Sequence, residues 1–237
     1  MFNIDRRTFY IILGILLLMN VLTGGRSIES IILALPGVIV AMTFHEFAHA
    51  YVATKLGDDT PRLQGRLNLN PMSHIDPLGL ISLALLGFGW GKPVQINPRN
   101  FDGKYSLSKA EALVAAAGPI MNFIIAFIFL IIYVILGEAV TTLTKTTEII
   151  VTIIVSIISV NIGLGVFNLI PVYPLDGSKV LNHFLPYKGR EWLINNQFIL
   201  TIVLFAVVIY TDIIGYIANL VMSGMLWVAI QLVGIFI

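Results

Sequence analysis

Residues 31–56 form an apolar run that is broken at one place by the pentapeptide His45-Glu46-Phe47-Ala48-His49. As a helix the run is about 39 Å long, enough to cross a hydrocarbon layer of about 30 Å. An ionisable group inside such a segment costs about 2–3.5 kcal/mol or more unless it is paired. The fold must therefore bring partners to these three side chains from elsewhere in the chain. His45 and His49 are four residues apart and share one helix face, so both imidazoles can grip a single zinc ion. Glu46 leans over the same point, where a general base for an activated water belongs. His45 lies about 21 Å from the start of the run, past its middle and toward its C-terminal end.

The rest of the 237 residues agree with a membrane setting. The chain is 57% hydrophobic and 11% charged, with a mean hydropathy of +0.92. That balance excludes an ordinary soluble domain and favours an all-α polytopic membrane protein. A net charge of +1 gives no basic signal for nucleic acid. The absence of cysteine removes disulfides and thiolate metal ligands together.

Six spans are expected, at residues 9–22, 31–56, 110–136, 149–170, 192–210 and 213–234, in one membrane-embedded domain over residues 1–237. The first run has no small-residue cleavage site after it and reads as a retained helix. Residues 57–108 are polar and turn-rich. Within them, residues 62–69 and 92–96 alternate and predict two short strands, a β-hairpin whose edge could hold an unwound substrate by β-addition. Residues 78–90 are apolar but too short to cross, which suggests a re-entrant segment. Gly118-Pro119 interrupts the span at 110–136, and residues 171–191 form a polar hinge that contains the sequence Leu175-Asp176-Gly177.

Alternating the spans from a cytoplasmic N-terminus puts twelve of the fourteen Lys and Arg residues inside and leaves Arg26 and Lys145 outside. That bias predicts a cytoplasmic N-terminus, with the end of the second span and Asp176 on the same side.

A catalytic zinc usually takes three protein ligands. The helix does not continue to a third histidine, because Val52 and Lys55 stand where a Gly and a His would be required. No Glu lies between Glu46 and Glu111, so a nearby downstream Glu is also excluded. Asp58, Asp59, Asp76, Asp176, His74 and His183 remain. Asp176 is the strongest of them, since it ends a long span beside Pro171, Pro174 and Gly177, which break the helix around it.

H-E-F-A-H at residues 45–49, followed by N-L-I-P-V-Y-P-L-D-G at 168–177, resembles the site-2 protease family of intramembrane zinc metalloproteases. The stretches R-L-N-L-N-P-M-S-H-I-D-P-L-G, F-G-W-G-K-P-V and A-A-G-P-I-M-N resemble its small bacterial and archaeal branch. The resemblance runs over residues 31–185. It implies one zinc per chain held by His45, His49 and Asp176, with Glu46 as catalytic base and Asn168 steadying the substrate or the oxyanion. It implies hydrolysis of peptide bonds in or beside the transmembrane segments of membrane-protein substrates, at a prokaryotic plasma membrane. PDZ and CBS modules, which many members carry, have no room here, and a homo-oligomer is compatible with the sequence. The competing reading is a zinc carrier or an inactive scaffold. A carrier would need ionisable groups spaced across the bilayer, whereas here they cluster at one depth.

The remaining polar residues are expected to be structural. His74 suits a turn hydrogen bond, and His183 an interface. Gly118 and Asn122 suit close helix packing and an interhelical bond, as do Asn161 and Asn219.

Overall fold

The computed structural model describes residues 27–86, 91–139 and 144–235, together with positions 11, 14, 15 and 18. The first expected span, residues 9–22, lies largely outside the described residues. Nine α-helices follow in the described chain, namely α1 (Ile28–Lys55), α2 (Thr60–Leu63), α3 (Pro71–His74), α4 (Pro77–Leu86), α5 (Leu107–Ala139), α6 (Lys145–Asn168), α7 (Asp176–Phe184), α8 (Tyr187–Tyr210) and α9 (Ile213–Gly234). Five of them, α1, α5, α6, α8 and α9, are long and apolar enough to cross a membrane.

Local chemistry sets the helix ends. Ser27 caps α1 by accepting the Ser30 amide at 3.1 Å, with Glu29 in the first turn and Lys55 in the last, matching the helix dipole. Thr144 and Thr147 form a reciprocal box at the start of α6. Contrary to the sequence expectation, Gly118-Pro119 does not interrupt α5, which runs on as one 33-residue helix.

The centre of the bundle is α1, α5 and α6, each packed on the other two, with α7 against α5 and α9 against α5 and α6. Lipid is as apolar as leucine, so close approach by small residues holds such helices together. Ala41, Ala50 and Ala53 of α1 and Ala110, Ala115 and Ala126 of α5 are buried at those contacts. One apolar cluster joins α5, α6 and α9 around Ala126, Leu130, Ile158 and Ala229. A second joins α1 to α5 around Ala53, Leu56, Ala110 and Val114. The stretch of α5 between them, residues 114–122, faces the two histidines. By contrast α8 leaves Phe198, Ile199 and Ile202 exposed, as a lipid-facing helix would.

The β-hairpin expectation is corrected. Residues 60–63 form α2 with Pro61 in its first turn, and Gly65 turns at φ +66°. Asn68 then bends the chain by accepting the Asn70 amide at 2.7 Å. Turn chemistry outweighs the alternating pattern here. Residues 92–97 form no strand either, because Pro93 lacks an N–H and the Val94 and Asn97 amides donate to Glu46 and Asp58. The two stretches meet through Gln64 and Gln95 side chains, 2.9 Å apart. Among the described residues the only β pairing is a single antiparallel bridge between Ile75 and Gly91. An edge strand for β-addition therefore has nothing to rest on. The expected re-entrant segment is described as far as Leu86, where α4 ends. The hinge is also more ordered than expected, since α7 begins at Asp176 itself.

Candidate metal centre

Three side chains from two distant parts of the chain converge in the bundle. His45 Nε2 and His49 Nε2 lie 3.0 Å apart, and Asp176 Oδ2 lies 3.1 Å from each of them. Both histidines are buried. The two rings come together because residues four apart on α1 share one helix face. Asp176 reaches them because the chain reverses after α6 and seats α7 on α5. Gly177 makes that reversal tight: a Cβ there would stand 2.2 Å from the Leu169 carbonyl oxygen.

The protons on the two rings follow from what lies behind them. His49 Nδ1 is 2.7 Å from the Val114 carbonyl oxygen, which can only accept. His45 Nδ1 is 2.6 Å from Asn122 Oδ1. In a neutral imidazole each Nδ1 is then the donor, and each Nε2 presents a lone pair. Asp176 Oδ2 is buried, and no donor of hydrogen-bonding geometry reaches it despite the short separations. Three lone pairs thus face one point. Such a set repels itself unless it shares a cation. The ligands of a tetrahedral zinc at about 2.0–2.2 Å stand about 3.3–3.6 Å apart, a few tenths of an ångström wider than the triangle seen here. The residues fit a metal of the zinc type, and His45, His49 and Asp176 form a group that could hold one.

Gly118 leaves the room for it. A Cβ at this position would lie 2.5 Å from His49 Nε2 and 2.7 Å from His45 Nε2. Val114, Gly118 and Asn122 recur every four residues and so share the face of α5 that meets α1. From the sequence, packing is favoured for Gly118 and Asn122 over a role facing the active site. Their four-residue spacing, matching that of the histidines, is the signal that could have joined them to the site.

Glu46 stands outside the triangle. Its Oε2 accepts the Val94 amide at 3.0 Å, so the 91–97 segment lies over it. Asn168 ends α6 and donates from Nδ2 to Leu164 O at 3.1 Å, one turn back on its own helix. Among the described residues it makes no hydrogen bond to the three converging side chains.

The other third-ligand candidates have separate roles. Asp58 ties the end of α1 to the 97–100 turn. Asp59 pairs with Arg62 at 3.2 Å on the surface. Asp76 caps α4 by accepting the Leu78 and Gly79 amides. His74 is fully buried, with Nε2 2.7 Å from the Asn68 carbonyl oxygen. His183 meets Ser108 at 3.2 Å.

Comparison with known proteins adds a family. The description Peptidase family M50, the site-2 protease family, matches residues 32–211. A Bacillus subtilis protein named "Putative zinc metalloprotease YwhC" is 41% identical over 172 residues, covering 71% of this chain and 77% of that one. The Mycolicibacterium smegmatis protein named "Putative zinc metalloprotease Rip2" is 31% identical over 105 residues, 42% of this chain and 39% of its own. Its namesake in Mycobacterium tuberculosis H37Rv is 26% identical over 180 residues, 73% of this chain and 65% of its own. No solved structure matches the chain.

Proposed function

The chain belongs to peptidase family M50, and from that premise we propose that it is an intramembrane zinc endopeptidase cutting peptide bonds in or beside transmembrane segments. The observation that carries this reading is the set of three potential ligand atoms within 3.0–3.1 Å of one another, with Glu46 beside them in the sequence. His45, His49 and Asp176 would hold the ion. Bound zinc supplies Lewis-acid activation of water and of the scissile carbonyl.

Glu46 is the base. It takes the proton of the attacking water and returns it to the leaving amine. The Val94 amide holds the Glu46 carboxylate at one oxygen and leaves Oε1 for the proton. Asn168 retains one Nδ2 hydrogen and can donate it to the developing oxyanion. The peptide bonds of a helix are internally bonded and shielded, so the substrate unwinds locally before it is cut. The protein is an integral membrane protein. The bias of twelve inner against two outer basic residues supports a plasma-membrane orientation with the site toward the cytoplasm.

Glu46→Gln tests the reading. Gln keeps size and hydrogen bonding but cannot take the proton, so zinc per purified chain should persist while cleavage falls by about 10²–10⁴. The measurement is turnover of a reporter transmembrane segment in liposomes. Undiminished turnover would end this mechanism.

A further inference from the structure

Two fully buried amides, Asn122 and Asn161, stand in line behind His45. Their orientations are forced. Asn161 Nδ2 donates to the Ile157 carbonyl oxygen at 2.8 Å, an atom that can only accept. Its Oδ1 therefore faces Asn122, whose Nδ2 donates to it at 2.9 Å. The second hydrogen of that Nδ2 goes to the Ala41 carbonyl oxygen at 3.0 Å, one turn before His45. Both Asn122 hydrogens are thereby used, and Oδ1 is the atom left for His45 Nδ1 at 2.6 Å. Turning either amide over would set oxygen against oxygen.

The two histidines differ in how they are held. His49 is fixed by a helix carbonyl that cannot rotate. His45 leans on a side-chain amide that presents a donor or an acceptor according to its own partners. In the wrong orientation an NH₂ group would face His45 Nδ1, move the ring proton to Nε2, and aim that proton into the triangle. We propose that Asn161, which makes no hydrogen bond to His45 or to the converging ligand atoms, is a positioning residue that sets the His45 tautomer through Asn122 and thereby the affinity of the centre for a divalent metal. This rests on the metal-centre reading given above.

A purely structural role makes a different prediction. Buried amides between apolar helices contribute modestly to stability, so on that role leucine in place of Asn161 would alter stability and leave the metal alone. The test uses full-length protein in detergent, labelled with ¹⁵N-histidine. The imidazole tautomers are read by NMR before metal is added, and zinc affinity is then titrated. His45→Ala identifies the His45 signals.

Wild type should show His45 protonated at Nδ1. Asn161→Leu should show mixed tautomers and bind zinc about tenfold more weakly, and Asn122→Leu about 10–100-fold more weakly. Asn161→Ala reads the same loss where the bulk of leucine is not tolerated. Asn161→Asp, buried as the neutral acid, donates its carboxyl proton to the Ile157 carbonyl oxygen in place of the amide, keeps an acceptor for Asn122, and should stay within about threefold of wild type. Folded Asn161→Leu and Asn161→Ala proteins with wild-type tautomer and zinc affinity would overturn the proposal. Wild-type protein that takes up no zinc would instead sink the metal-centre reading and the affinity half of this one. The tautomer spectra would still decide the relay.

Discussion

Asp58 and Asp176 are both carboxylates beside the end of a long apolar helix, and they differ in what surrounds them. Asp58 is wholly buried and accepts from the Thr60 amide at 3.0 Å, the Asn97 amide at 2.7 Å and Asn100 Nδ2 at 2.9 Å, with the Thr60 hydroxyl as well. Asp176 offers a buried Oδ2 to two imidazole lone pairs and meets no donor there. A buried carboxylate supplied with donors ties a loop to a helix. One supplied with further acceptors can be balanced only by a proton or a cation. Burial alone does not separate the two, but the partner set does.

The most severe way to break this contrast is to delete each carboxylate. Asp176→Ala should remove the zinc and the cleavage together, measured as metal per chain and reporter turnover. Asp176→Ala protein that keeps its zinc would erase the distinction. A milder probe crowds the triangle without touching a ligand. Gly118→Ala replaces a helix-interior glycine, which on propensity alone gains about 1 kcal/mol. Its Cβ would nevertheless fall 2.5–2.7 Å from atoms of both rings, so zinc affinity should drop by about 10–100-fold. Wild-type affinity in this variant would mean the rings have room that the structure denies them.

The complementary deletion acts on stability. Asp58→Ala leaves the Asn97 amide and the Asn100 side chain without their acceptor, and should cost about 2–4 kcal/mol in unfolding midpoint experiments with zinc content unchanged. Metal loss in folded Asp58→Ala would contradict the separation of the two regions. The smallest effect is on pH. Burial pushes the Asp58 carboxyl upward, but the bonds from Thr60, Asn97 and Asn100 outweigh it and hold the group below its ordinary 3.8. A depressed folded value stabilises the protein fully above the unfolded value and is lost as pH falls through the folded one. Stability should therefore begin to fade below about pH 4, and Asp58→Asn should flatten that limb. An identical acid limb in Asp58→Asn would assign it to other groups.

How legible the site was depended on the distance over which each contact acts. The pairing of His45 with His49 follows from helix periodicity and needs no tertiary information. The long spans were legible because membrane thickness imposes a length on any apolar run, and α8 and α9 began within a few residues of their expected places. The hairpin was misread because residues 62–69 alternate, while Pro61, Gly65 and Asn68 impose turns that alternation does not register. Asn122 and Asn161 read as packing residues. Nothing local in an amide says whether its far partner is a carbonyl or an imidazole of the candidate metal centre.

The sequence by itself determined a polytopic helical membrane protein with a two-histidine helix turn, because hydrophobic length and a 3.6-residue period act between near neighbours. Only the tertiary structure seated Asp176, which the sequence singled out among six candidates, opposite those histidines and showed which buried carboxylate has donors and which does not. It alone set Val114, Gly118 and Asn122 of α5 behind the rings to fix their protons and leave them space. The physical reason is that proton position and metal fit depend on atoms a few ångströms apart in space but tens of residues apart in the chain. Helix packing, not local propensity, brings those atoms together.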